Sequence, residues 1–164
     1  MNQIVSFLMK ISDLLDGANV MPTMSAEDKR DAIVKLVDSL SHRLDPATLV
    51  SVREAVLERE NIMSTGVGKG LAIPHGKSSM LSETCAAFAK LSSPIEYDAI
   101  DNEPVSILFL LAGPESQNSL HIKMLSRVSR LLNNAAFRDR LLESNDAEAI
   151  IDLFRSEEEH FVRM

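Results

Sequence analysis

The chain has 164 residues, a formal net charge of −7, one cysteine and no tryptophan. That length fits one domain with a full hydrophobic core, built here on Leu, Ile, Val, Met and Ala. The acidic balance argues against nucleic acid or an anionic membrane surface as the main partner, since both call for a basic face, and a lone Cys85 excludes an internal disulfide framework and a Cys-rich zinc site.

Residues 1–8 read as an N-terminal extension. "KISDLL" at 10–15 is expected to form a short strand that breaks at Gly17. The first helix is expected within "SAEDKRDAIVKLVDSLSHRL", started by a capping box of Ser25 and Asp28. Ile33, Leu36, Val37 and Leu40 recur there at helical spacing, and His42 reads as an exposed residue in the last turn. Asp45-Pro46 opens a second helix, with a cap followed by proline at the first helical position. Leu49, Val52, Val56 and Leu57 face inward on it.

Two strands are expected after the glycine-rich stretch. "TCAAFAKL" at 84–91 is small and apolar. "VSILFLLAG" at 105–113 has no polar alternation after Ser106, as in a strand covered on both faces. Asp101-Asn102-Glu103-Pro104 reads as a turn. Helices return with "SLHIKMLSRVSRLLNN", where Leu120, Met124, Val128 and Leu131 form one stripe and Asn118 and Ser119 are expected caps. "AAFRDRLLES" and "DAEAIIDLFRS" follow, the latter with Asn145 and Glu148 as a capping box. The last residues, 156–164, read as a frayed acidic tail with His160 in solvent. The order ααβββααα after a leading strand predicts a single-domain α/β fold, a mixed sheet flanked by helices on both faces. No apolar run approaches the roughly 18–20 residues of a membrane span, and the start lacks a basic n-region and a small-residue cleavage site. A cytoplasmic location is expected.

The chemistry concentrates at "STGVGKGLAIPHGKSS", residues 64–79. A P-loop fails there on spacing, because the position of its first glycine holds Leu71. A metalloprotease helix fails too, since neither His75 nor His121 has a histidine four residues away. What remains is His75 behind Pro74, on a backbone whose glycines let N–H groups approach an anion. A neutral imidazole is a competent nucleophile and forms a phosphoramidate with phosphorus. His121 opens a helix, where the dipole favours negative charge and disfavours an imidazolium. Arg53, Arg59, Lys69 and Lys77 add local positive charge to the stretch.

"RENIMSTGVGKGLAIPHGK" at 59–77 closely resembles the active-site signature of enzyme IIA proteins of the bacterial phosphotransferase system, the mannitol/fructose superfamily. "LFLLAGPESQNSLHIKMLSRVSRLL" is similar to that family's strand, loop and histidine-bearing helix. "SPIEYDAIDNEPV" is similar to the nitrogen-regulatory branch. The resemblance spans residues 9–155, with Met63, Val67 and Leu71 as conservative departures. It implies a mannitol-type IIA fold, with His75 phosphorylated by the phosphocarrier HPr or its nitrogen-branch counterpart. By the same resemblance His121 orients or hydrogen-bonds the phosphohistidine and Arg59 stands beside it. Thr65, Gly66, Gly68 and Gly70 form the supporting loop. No metal or cofactor is implied. The recipient would be an enzyme IIB in sugar uptake or regulatory target proteins, and the rival of another class is a protein-binding module that never carries phosphate.

Overall fold

The computed structural model describes residues 9–163, with side chains through His160. The expected extension at 1–8 lies outside the described residues. Six strands form one mixed sheet: β1 (Val20–Met24), β2 (Gly66–Gly68), β3 (Leu71–Ala72), β4 (His75–Ser78), β5 (Cys85–Ile95) and β6 (Val105–Pro114). Five α-helices accompany it: α1 (Lys29–Asp38), α2 (Pro46–Ile62), α3 (Asn118–Leu132), α4 (Ala135–Glu143) and α5 (Ala147–Arg163). The sheet order is β1-β5-β6-β3-β2, and β4 also pairs with β6.

Strand β6 organises the sheet. It runs antiparallel to β5 and parallel to both β3 and β4. Because side chains alternate along a strand, its unbroken apolar run splits into two sets. Ile107, Phe109 and Leu111 enter one core with Phe88, Leu120, Met124, Val128, Phe137 and Phe154, beneath α3–α5. Leu108, Leu110 and Ala112 enter the other with Ile33, Leu36, Val37, Val52 and Val56, beneath α1 and α2. In the first core Phe154 meets Phe88, Phe109 and Phe137 with ring centroids 5.6, 5.6 and 5.1 Å away. The expectation of a strand covered on both faces therefore holds.

Several sequence expectations shift. Residues 11–14 form a 3-10 turn rather than a strand. The leading strand lies further on, at Val20–Met24, with Pro22 inside it. Among the described strands it pairs with β5 alone, at the sheet edge, where a missing N–H is tolerated. Helix α1 is capped by Asp28, whose carboxylate accepts from Asp31 N–H at 2.8 Å, not by Ser25. Asp31 in turn accepts from Glu27 N–H at 3.0 Å. Asp45 caps α2 as expected, accepting from Thr48 N–H. At α5 the cap is Asp146, accepting from Ala149 N–H, while Asn145 instead receives the ammonium of buried Lys90. His42 lies beyond the end of α1, in the turn after it, exposed and 2.9 Å from the Asp16 carboxylate.

The acidic tail is the largest correction. Residues 156–163 continue α5, and Glu157 and Glu158 are buried. Glu157 pairs with Arg140 on α4. Glu158 accepts from the backbone N–H groups of Ile11 and Ser12 at 2.6 and 2.7 Å, so it closes the 3-10 turn from the far end of the chain. A charge run that looks solvated in sequence is thus partly a cap for a distant segment. His160 is exposed, as expected.

Glu158→Ala leaves those two N–H groups without their carboxylate. It is expected to lower unfolding free energy by about 1–3 kcal/mol, read as a reduced urea midpoint at unchanged slope. A substitution at a frayed tail would leave the midpoint where it is.

Candidate active site

The register of β4 on β6 places the key side chain. His75 pairs with Leu111 and Lys77 with Gly113. Neighbours across a ladder share a face, so His75 and Lys77 point to the side of Leu111, where α3 packs. Gly76 and Ser78 point the other way. There a Cβ on Gly76 would lie 3.0 Å from the backbone of Ala55 and Val56 in α2, and the Ser78 hydroxyl meets Ser51 at 2.7 Å. Glycine at 76 therefore lets α2 lie against β4, and this close approach fixes the strand that carries His75.

On the facing side α3 brings His121 to His75, with ring centroids 5.8 Å apart and ring planes at 50°. The helix starts after a 3-10 turn at 115–117 without a side-chain cap. Asn118, an expected cap, accepts instead from the Lys77 ammonium at 2.6 Å and ties α3 to β4. Gly113 makes room for the second ring: a Cβ there would sit 3.1 Å from His121 Nδ1.

The two imidazoles differ. His75 is half-buried, and its Nδ1 lies 2.9 Å from the Ile73 carbonyl oxygen. A carbonyl only accepts, so Nδ1 carries the proton and Nε2 keeps its lone pair. Burial lowers the His75 pKa, and the Arg59 charge adds to this. The Ile73 carbonyl and the Glu60 charge oppose it. His121 is buried, at 4% exposure, and Nδ1 has no hydrogen-bond partner among the described residues. Its pKa falls to about 4, through burial first and then the positive charge of a protonated His75 and of Lys77. Both rings are neutral at pH 7.

The remaining expected site residues divide. Arg59, half-buried in the last turn of α2, donates to the Met63 carbonyl at 2.8 Å and places its charge within reach of His75. That bond closes the end of the helix. Thr65 is buried: its N–H and hydroxyl both donate to the Glu60 carboxylate, and its hydroxyl lies 3.1 Å from the Tyr97 hydroxyl. Gly66, Gly68 and Gly70 build the β2–β3 hairpin rather than a loop around the imidazole. Gly66 packs where a Cβ would be 2.8 Å from Ala99, and Gly68, Lys69 and Gly70 turn the hairpin at positive φ. The backbone bonds of the tip go to Asp101, Ile100, Ser106 and Ile107. The glycines thus hold β3 against β6, and the chain continues from there to His75. Gly76, Gly113 and Glu60 escaped sequence reasoning. Their signal is present, in a glycine after the histidine, a glycine ending the apolar strand and the acid beside Arg59, but their role needs the partner element.

A mixed sheet between two helical layers thus carries a pair of histidines at one end of the β4–β6 ladder. Residues 13–157 match the family described as phosphoenolpyruvate-dependent sugar phosphotransferase system, EIIA 2, and the chain belongs to it. A nitrogen regulatory protein of Bradyrhizobium diazoefficiens is 36% identical over 142 residues, covering 87% of this chain and 92% of that one. The fructose-specific EIIABC component of Bacillus subtilis is 33% identical over 145 residues; these are 88% of this chain but only 23% of that longer protein. The crystal structure of nitrogen regulatory protein IIA-Ntr from Neisseria meningitidis superposes with a TM-score of 0.80 at 27% identity, covering 88% of this chain and 98% of that one. Among the described residues no helix is long and apolar enough to cross a membrane.

The depressed His121 pKa has a sign that can be checked. Between the unfolded value near 6.5 and the folded value of about 4, the unfolded chain binds a proton at this residue that the native state refuses. Stability contributed by neutral His121 is therefore complete above pH 6.5 and is lost as pH falls toward 4. At pH 4.5 that loss is expected to be about 2 kcal/mol, and His121→Gln should show a correspondingly smaller drop in urea midpoint between pH 7 and 4.5. Equal pH dependence of the two proteins would contradict a buried neutral imidazole.

Proposed function

We propose that the protein is a cytoplasmic phosphocarrier that accepts a phosphoryl group on His75 Nε2 from an HPr-type donor. The observation that carries this reading is the Ile73 carbonyl on Nδ1. It assigns the proton to one nitrogen and the lone pair to the other before any donor arrives, which is what a nucleophilic imidazole requires.

The Nε2 lone pair attacks the donor's phosphorus as the donor's P–N bond breaks and its electron pair returns to the donor imidazole. Positive charge develops on the His75 ring, and the Ile73 carbonyl oxygen, accepting from Nδ1–H, stabilises it there. Negative charge on the phosphoryl oxygens is met by His121, held 5.8 Å from His75 between ring centroids, and by the charges of Arg59 and Lys77. Catalysis here rests on positioning and charge stabilisation. Large apolar side chains stand exposed beside the site residues in sequence: Ile62 and Met63 after Arg59, and Ile122 after His121. Such side chains suit docking of a protein donor, not capture of a small anion alone.

The regulatory branch is the version favoured by the "SPIEYDAIDNEPV" segment and by the nitrogen regulatory relative. The fructose-specific relative supports a second version, in which the phosphoryl group passes to an enzyme IIB in sugar uptake. Phosphoryl transfer to a fructose- or mannitol-type IIB decides between them.

Incubation with phosphoenolpyruvate, enzyme I and HPr, or the nitrogen-branch pair, should add one acid-labile phosphoryl group. NMR of the product should place it on Nε2 of His75. His75→Ala should abolish labelling, and His121→Ala should slow it by roughly 10²-fold. Full labelling of His75→Ala would overturn the assignment, and no transfer to wild type from either donor pair would leave a protein-binding module as the better reading.

A further inference from the structure

Beneath the hairpin lies a buried polar cluster whose hydrogen bonds join Lys29, Glu60, Thr65 and Tyr97. Glu60, in the last turn of α2, is 5% exposed. Its Oε1 accepts from Thr65 N–H at 3.0 Å and from the Lys29 ammonium at 3.2 Å. Its Oε2 accepts from the Thr65 hydroxyl and, at 3.5 Å, from the Tyr97 hydroxyl. The Lys29 ammonium also stands 5.1 Å from the centroid of the Tyr97 ring. Burial and the Glu60 charge push the Tyr97 hydroxyl far above its ordinary range, so it remains a donor. Four donor groups from three residues thus converge on one carboxylate inside the fold. Removing such a group from water is costly unless it is fully bonded.

This cluster leads directly to the nucleophile. The Thr65 carbonyl accepts from Ile73 N–H at 3.0 Å. The Ile73 carbonyl then accepts from His75 Nδ1–H at 2.9 Å. Only Pro74 separates the two residues, and its own carbonyl accepts from Leu111 N–H at 3.1 Å, which pins the next peptide to β6. The orientation of the Ile73 carbonyl therefore depends on where Thr65 stands, and Thr65 is held by both its N–H and its hydroxyl on Glu60.

We propose that Glu60 is a positioning residue for His75: through Thr65 and the Ile73 backbone it fixes the carbonyl that keeps the proton on Nδ1 and leaves Nε2 free to attack. Lys29 and Tyr97 complete the device by holding the carboxylate in place. The proposal rests on the reading of His75 as the phosphoryl acceptor, but its structural half, the tautomer, stands apart from any donor.

The charged and titratable groups around His75 are Arg59 and Glu60 from α2, Lys77 from its own strand and His121 from α3. Glu60 is the acid among them and holds the His75 pKa up. Its neutralisation lowers that pKa further, so the acid limb of the rate profile, where protonation removes the nucleophile, moves to lower pH. That shift reports the lost charge alone; the tautomer is the readout of positioning, and a role confined to fold stability would leave it unchanged in molecules that remain folded.

The test is long-range proton–nitrogen NMR of the His75 ring across pH, in wild type, Glu60→Gln and Thr65→Val, with phosphoryl acceptance from phospho-HPr measured on the same samples. Thr65→Val keeps the backbone N–H and carbonyl, so it reads the hydroxyl link if Glu60→Gln does not fold. The expected result is a mixed Nδ1-H/Nε2-H tautomer in both variants. Acceptance should slow by about tenfold, and in Glu60→Gln the acid limb should also shift downward. Folded variants with wild-type tautomer and rate would overturn the proposal, whatever the limb does in Glu60→Gln. Wild-type protein that accepts no phosphoryl group would overturn the phosphocarrier reading instead, while the tautomer measurement still decides the role of Glu60.

Discussion

Strand β6 has no solvent face, and the rest of the molecule is arranged around that constraint. A strand buried on both sides needs a helical layer on each and backbone partners along both edges. Here β5 takes one edge, and β3 and β4 share the other as two short pieces. The break between those pieces is where Ile73 and Pro74 lie. The carbonyl that would otherwise join a regular ladder is released toward the His75 ring. The site is thus made where the sheet's parallel edge is interrupted, and β6 holds both sides of the interruption in register.

The same strand explains why the two histidines meet. Leu111 and Gly113 lie on the face of β6 that α3 covers, and the parallel register puts His75 and Lys77 beside them. One residue of slip would turn His75 toward α2 and Gly76 toward α3, which reverses every contact described for either residue. Gly76 guards against that slip from the other side, because α2 backbone occupies the space any side chain would need. Lys77, bonded to Asn118, then fixes where α3 begins.

This logic sets what could be read in the sequence. The two long strands and the helices of the second half were legible because their apolar periodicity is local: Leu120, Met124, Val128 and Leu131 all lie buried on one stripe. Strands of two to four residues carry no periodicity, so β2, β3 and β4 appear only through pairing, β2 with β3 across the hairpin and β3 and β4 with distant β6. The cap at Asp45 was legible, whereas Ser25 and Asn145 lost that role to Asp28 and Asp146. Both are choices among neighbouring polar residues that only the path of the preceding chain decides. In the site, the motif singled out His75, His121 and Arg59. It could not say that Thr65 faces Glu60, or that the glycines serve the hairpin, since those contacts span segments from Lys29 to Ile107.

The neutrality of the histidine pair bears on how a phosphoryl group would be held there. A phosphoryl group brings close to two negative charges. A buried imidazolium against it would form a strong ion pair and stabilise the loaded state, and stabilising a loaded ground state slows its onward transfer as much as it favours loading. Before a phosphoryl group arrives, burial keeps His121 uncharged at neutral pH and leaves a neutral ring at a fixed distance. The formal positive charge comes instead from Arg59 and Lys77, which are half-buried and exposed and thus better screened. Arg59 is tied to the end of α2 and Lys77 to the start of α3. Partner surfaces that approach the histidines would meet these two charges first. The interior supplies geometry and the rim supplies charge, an arrangement suited to a group that must be taken up and released at comparable cost.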